Sequence, residues 1–215
     1  MIAARILGFS SCRICIRINS MCLQKCGSGG QRLMDEDLVE QKISSRDVYD
    51  GKLLHVKCDQ VRLPNGREAS REWIQHPGAA AVLPVLPDGR IVLVRQYRYP
   101  IQAVTLEIPA GKMDVAGEDP LGCAKRELQE ETGYTAVTFT PLITLATTVG
   151  FSDERIHLFL ARGLTAGEAT PDEDEFIHVV RVPLADAVQM VHAGQIVDAK
   201  SITAILLLSA QSLNT

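Results

Sequence analysis

Three glutamates, Glu127, Glu130 and Glu131, follow Arg126 in the run Arg126-Glu127-Leu128-Gln129-Glu130-Glu131-Thr132-Gly133-Tyr134. On a helix, the spacings i, i+3 and i+4 bring all three carboxylates to one side. Like charges placed this way repel one another, so water alone does not reward the arrangement. A hard divalent cation does, because Mg²⁺ takes oxygen ligands and binds through a few carboxylates together with substrate phosphates. The competing reading is a solvated acidic helix face. Glu118 upstream, the flanking Gly111 and Gly133, and Arg126 itself argue for the chemical one. Glu127 and Glu131 are the first candidates for direct metal ligands. Glu130 is a ligand or an orienting group, since Arg126 can pair with it across one turn.

The whole segment from Gly111 to Tyr134 resembles the Nudix box, the signature of hydrolases that cleave a diphosphate linked to another group. The family pattern is Gly, five residues, Glu, seven residues, then Arg-Glu-apolar-any-Glu-Glu-any-Gly-apolar. The chain follows it from Glu118 through Arg126, Glu127, Leu128, Glu130, Glu131, Gly133 and Tyr134. It departs at one point: six residues separate Gly111 from Glu118. Loops take added length at small entropic cost, so the segment Lys112 to Gly117 is expected to absorb the extra residue.

The resemblance extends beyond the box. His76-Pro-Gly-Ala-Ala, Leu93-Val-Arg95-Gln96-Tyr97-Arg98-Tyr-Pro100 and Leu106-Glu107-Ile-Pro-Ala-Gly111 are similar to the ADP-ribose and ADP-sugar pyrophosphatase branch of that family. So are Gly150-Phe-Ser-Asp-Glu154 and Asp172-Glu173-Asp174-Glu175-Phe176. The resemblance implies an α/β fold, a mixed β-sheet in an α/β/α sandwich preceded by an N-terminal antiparallel hairpin. It implies that the Ala110 carbonyl joins Glu127 and Glu131 as a metal ligand, and that Arg98 faces the substrate phosphates. Guanidinium geometry suits phosphate. Glu107 could bond the nucleotide or a water near the metal.

The catalytic base in this branch is a glutamate outside the box. Glu173 and Glu175 lie in an acidic loop, and similar loops supply a base and a further metal contact. Glu154 is the other candidate base. Arg71 and Glu72 occupy the position that meets adenine or the terminal ribose, often across a dimer interface. Trp73 follows, and alternation turns it to the opposite face, where burial or an interface suits it better than base stacking.

Bulk properties bound the reading. The 215 residues suffice for one well-buried domain and an appendage. Net charge is −4, but residues 1–33 hold five basic side chains and no acid, which leaves −9 on the remainder. An acidic body argues against nucleic acid as a partner. No apolar run reaches the length of a membrane span. Four of six cysteines (Cys12, Cys15, Cys22, Cys26) lie in the basic leader. Cys58 and Cys123 do not make a disulfide framework, so the body reads as a reducing-compartment, cytoplasmic protein. The leader fits an organelle transit peptide, mitochondrial for example, a region skipped by a start at Met21 or Met34, or, more weakly, a zinc site. It is expected to be dispensable for catalysis.

Three regions are therefore expected: a leader at 1–33, N-terminal strands at 34–75, and the hydrolase domain at 76–215. From Val48 the chain turns β-like. Strands at 53–63 and 68–74 flank Pro64-Asn65-Gly66, a hairpin signal. Strands at 79–86 and 91–97 around Pro87-Asp88-Gly89 read as a second hairpin. A short strand at 104–108 leads to the motif helix at 121–132, bounded by Pro120 and Gly133. Further strands are expected at 138–146, 156–161 and 176–182, and helices at 184–192 and 199–213. The expected function is Mg²⁺-dependent hydrolysis of ADP-ribose, with Mn²⁺ as an alternative metal. Other nucleoside diphosphate sugars, or a regulator that binds without hydrolysing, are the alternatives. The apolar content of the N-terminal strands points to a homodimer.

Overall fold

The computed structural model describes residues 37–173 and 175–212. The leader and its four cysteines lie outside the described residues. The chain divides into Met1–Val39 and a unit from Glu40 to Thr215, and the latter carries every element discussed below.

Among the described residues, ten strands and three α-helices follow one another: β1 (Gln41–Asp50), β2 (His55–Arg62), β3 (Glu68–Gln75), β4 (Ala79–Pro84), β5 (Arg90–Arg98), β6 (Ala103–Glu107), β7 (Ala110–Lys112), α1 (Pro120–Thr132), β8 (Tyr134–Ala146), β9 (Arg155–Ala166), β10 (His178–Pro183), α2 (Leu184–His192) and α3 (Ala199–Ser212). They form three sheets, ordered β1-β2-β3, β10-β5-β6 and β7-β4-β9-β8. Of these strands, β4 and β9 pair in parallel, and the other pairs are antiparallel. Among the described residues no helix is long and apolar enough to cross a membrane.

Alternation along the central strands explains the layers. Side chains of a strand point to opposite faces in turn. Ala79, Ala81, Leu83 and Val85 enter one core with Ile91, Leu93, Leu158, Ile196, Ile205 and Leu208. Ala80, Val82, Val92 and Ala161 enter the other with Cys123, Ala124 and Leu128 of α1. Both faces of β4, β5 and β9 are therefore covered, which is why they read as continuous apolar runs. Helix α1 closes one side; α2 and α3 close the other. This is an α/β/α sandwich.

The second expected hairpin needs correction. The chain does turn at Pro87-Asp88-Gly89, with Leu86 N–H donating to the Arg90 carbonyl at 2.8 Å. Beyond the Val85–Ile91 bridge, however, the two strands part into different sheets. β4 pairs with β7 and β9, and β5 pairs with β6 and β10. A turn signal is local, whereas pairing is decided by which distant strand covers the edge.

The first hairpin, β2–β3, is present and carries a third strand. Nothing in the sequence before Val48 announces β1, because all ten of its residues are exposed and show no inside-out alternation. It is held by pairing with β2 and by buried Asp59, which accepts from Ser45 Oγ at 2.5 Å and faces Lys42 Nζ at 3.3 Å. The register opposes Asp59 to Arg71 and Lys57 to Trp73. Trp73 therefore faces away from Glu72 but shares a face with Arg71, since residues two apart project together. β3 is tied to the sandwich through Ile74, whose N–H donates to the Phe151 carbonyl at 2.8 Å.

Candidate active site

Helix α1 is built by local signals. Asp119 caps its N-terminus by accepting from Gly122 N–H at 2.6 Å, Pro120 opens the first turn, and Gly133 closes it at φ 72°. That conformation suits glycine, and a Cβ there would also collide with the Gly167 carbonyl. The buried stripe has two rows at helical spacing. Ala124, Leu128 and Thr132 form one; Cys123, Glu127 and Glu131 form the other. Two carboxylates are thus carried into the packed face of the helix, against β7 and β4.

Arg126 gathers the remaining acids. Its Nε and Nη2 each donate to Glu118 at 3.0 Å. Its Nη1 reaches Glu127 at 2.7 Å and Glu130 at 2.9 Å, and Nη2 reaches the Lys112 carbonyl at 3.3 Å. Glu118 has regained its place beside Arg126, so the extra residue is taken up in the turn before it, where Glu118 N–H bonds the Val115 carbonyl. Gly111 lies directly over the Glu127 carboxylate; a Cβ there would strike it.

Glu131 is different. It is 3 % exposed, and among the described residues its one hydrogen bond is from Ala110 N–H at 3.3 Å. Burial first, then repulsion from Glu127 and Glu175, raises its pKa to about 8. Burial likewise lifts Glu127 to about 7, with Glu130 and Glu175 adding to it against the pull of Arg126. Glu175 therefore stands within electrostatic reach of both.

Among the described residues no three His, Cys, Asp or Glu side chains are gathered into a ready ligand set, and Arg126 pairs with Glu118, Glu127 and Glu130. The donor chemistry nonetheless fits a hard cation. Two carboxylates are buried on one helix face, sharing few cations, and Gly111 leaves room over Glu127.

A second cluster surrounds Glu107, which is 3 % exposed. Arg98 grips it with Nε and Nη2, both at 2.8 Å, Thr105 Oγ donates at 2.6 Å, and Lys200 Nζ lies at 2.5 Å. Lys200 also meets Asp198 at 3.0 Å. Despite burial, these partners, Arg98 foremost, hold Glu107 down to about 2. Nothing in the sequence singles out Lys200 or Asp198, because Lys200 lies 93 residues from Glu107.

The other candidates lie elsewhere. Arg71 is exposed on β3 and forks onto Glu40 at 2.9 and 2.5 Å. Glu72 is exposed opposite Cys58. Glu154 accepts from Thr147 Oγ and stands 3.5 Å from His76 Nε2. Glu173 is exposed in the turn closed by Glu175 N–H to the Asp172 carbonyl. A cavity of about 490 Å³ is lined by Lys52, Lys57, His76, Lys112 and Asp114, among others.

Residues 75–204 match the NUDIX domain, and residues 40–74 match the nucleoside diphosphate sugar hydrolase N-terminal domain. The chain belongs to the Nudix family. Members of this family typically use a divalent metal. The chain is 43 % identical over 172 residues to the ADP-ribose pyrophosphatase of Bacillus subtilis, covering 79 % of this chain and 92 % of that one. It is 42 % identical over 174 residues to the methanol dehydrogenase activator of Bacillus methanolicus, covering 80 % and 94 %. A crystal structure of an ADP compounds hydrolase shares the Nudix fold, with a TM-score of 0.71 at 24 % identity over 80 % of this chain and 93 % of that one.

Proposed function

We propose that this Nudix protein hydrolyses the diphosphate bond of ADP-ribose to AMP and ribose 5-phosphate with Mg²⁺. The observation that carries the reading is the pair Glu127 and Glu131, buried on one face of α1 with Gly111 against Glu127, and raised to about 7 and 8 by that burial and by neighbouring carboxylates. The name of the Bacillus subtilis relative supports the substrate. Glu127, Glu131, Glu175 and the Ala110 carbonyl would hold the cation. When bound, it supplies charge neutralisation at the phosphates and a more acidic attacking water.

The chain's own residues do the rest. Arg126 holds Glu118, Glu127 and Glu130 in one array, so the acidic face is pre-organised. Arg98, steadied by Glu107, offers a guanidinium to phosphate oxygens. Glu173 is the preferred base, because it shares a short segment with Glu175, while Glu154 is engaged by Thr147 and His76. Arg71 and Glu72 stand on the N-terminal sheet as contacts for the nucleoside. A homodimer through that sheet is supported by its exposed edge strand, which carries Ile43, Val48 and Tyr49. The free, buried thiols of Cys58 and Cys123 suit a reducing compartment such as the cytoplasm.

The test is release of the nucleoside monophosphate with Mg²⁺ from a panel of ADP-ribose, ADP-glucose, UDP-glucose and NADH, which is UMP for UDP-glucose and AMP for the others. ADP-ribose is expected to have the highest kcat/KM. Preference for another member would move the protein to that nucleotide sugar, and binding without turnover would make it a regulator.

A further inference from the structure

A cavity of about 360 Å³ lies beside the second cluster, lined in part by Arg98, Thr105, Glu107, Asp198 and Lys200. We propose that Lys200 is a positioning residue that sets the charge of this cavity: it neutralises Glu107 and Asp198 so that Arg98 can present a cationic edge to the anionic part of the substrate. The inference rests on the reading of the site as one for a nucleoside diphosphate sugar, and deepens it.

The geometry carries the argument. Glu107 is saturated: Oε1 receives Arg98 Nε and Thr105 Oγ, and Oε2 receives Arg98 Nη2 and Lys200 Nζ. Arg98 commits Nε and Nη2 to this contact, and Nη1 makes no hydrogen bond among the described residues. Its side chain is 42 % exposed and lines the cavity. An arginine cancelled by its own carboxylate would attract a diphosphate poorly.

Lys200 changes that balance. With it, two cations face two carboxylates; without it, Arg98 alone faces both, and the cavity becomes anionic. Water screens this difference little, because the Lys200 and Glu107 side chains are 9 % and 4 % exposed. A second tie, through Asp198 and Ser201, holds the start of α3 beside Ile108. Asp198 is held separately by Ser201 N–H at 3.0 Å and Ser201 Oγ at 2.5 Å, and Ser201 Oγ accepts from Ile108 N–H at 2.8 Å. Charge and scaffold can therefore be varied apart.

The experiment compares Lys200→Met, Asp198→Asn and the double variant with the full chain. It reads KM and kcat for ADP-ribose and the calorimetric Kd for inorganic pyrophosphate. Lys200→Met is expected to raise KM and the pyrophosphate Kd by roughly tenfold or more, with kcat changed far less. The double variant restores neutrality and should return both constants to within about threefold of the parent. Asp198→Asn alone should tighten pyrophosphate, and it decides the question if Lys200→Met does not fold. Unchanged affinity in Lys200→Met, a double variant as weak as the single, or an indifferent Asp198→Asn would overturn the proposal. If the parent chain does not hydrolyse ADP-ribose while the pyrophosphate order holds, the substrate reading fails and the role of Lys200 stands.

Discussion

Two arginine-centred clusters share the segment 107–112, and their charge balances are opposite. At Glu107, one buried carboxylate receives Arg98, Thr105 and Lys200, and its pKa falls to about 2. At the box helix, Arg126 alone among the described residues pairs with Glu118, Glu127 and Glu130, and there Glu131 accepts only the Ala110 N–H; Glu127 and Glu131 rise to about 7 and 8. The comparison separates a balanced cluster from a deficient one. A buried charge that is fully paired locks neighbouring elements together, whereas crowded buried carboxylates are raised in pKa and are where the proposed cation would be held.

The largest expected effect breaks the deficient cluster. Glu127→Gln and Glu131→Gln each remove an anionic ligand without changing shape. Each should lower kcat by about a thousandfold or more at saturating Mg²⁺ while thermal melting without metal is unchanged or raised. Near-parental turnover in either variant would remove that residue from the proposed metal shell.

The balanced cluster should fail in the opposite way. Glu107→Gln leaves Arg98 and Lys200 without their shared carboxylate, and stability should drop by about 3–5 kcal/mol, as for other buried pairs broken on one side. Denaturant titration measures it. A loss within the scatter of surface substitutions would mean that Glu107 does not hold β6, β5 and α3 together.

Adding a Cβ probes the same contrast more gently. Gly111→Ala places a methyl against the Glu127 carboxylate. Glu127 must then move, and the apparent Mg²⁺ requirement should rise by roughly tenfold, since a small misplacement at a reacting centre has large consequences. An unchanged Mg²⁺ titration would show that Glu127 can shift without loss.

Legibility from sequence follows the range of each interaction. Helix α1 is readable because Asp119, Pro120 and Gly133 mark its ends within the segment itself, and its carboxylate spacing is local. The outward strand β1 is not, because ten exposed residues bear no pattern of burial. The turn at Asp88-Gly89 is legible but the partners of its strands are not, since β9 and β10 claim β4 and β5 from far along the chain. Lys200 carries no local signal at all; only folding brings α3 to Glu107. The deficient cluster is thus visible in the sequence, and the balanced one only half visible, through Arg98 and Glu107.

The effect that sharpens the comparison most directly is the pH dependence of stability without metal. Glu131 titrates near 4.5 when unfolded and near 8 when folded. Between those values the folded state binds more protons, so stability is fully present below pH 4.5 and is lost as pH rises toward 8. Glu127 adds to the same limb up to about 7. Glu107 runs the other way: its contribution is present above pH 4.5 and is lost as pH falls through about 2. Chelator-treated protein should therefore be most stable near pH 4.5–5 and lose a few kcal/mol by pH 8, because a tenfold difference in proton affinity between the two states is worth about 1.4 kcal/mol. Glu131→Gln should flatten the alkaline limb and leave the acid limb, while Glu107→Gln should do the reverse. Denaturation midpoints from about pH 3 to 9 with chelator measure both limbs. A profile flat from about pH 5 to 8, or one that Glu131→Gln does not alter, would mean that the box carboxylates are not held in charge deficit, and the contrast between the clusters would fall.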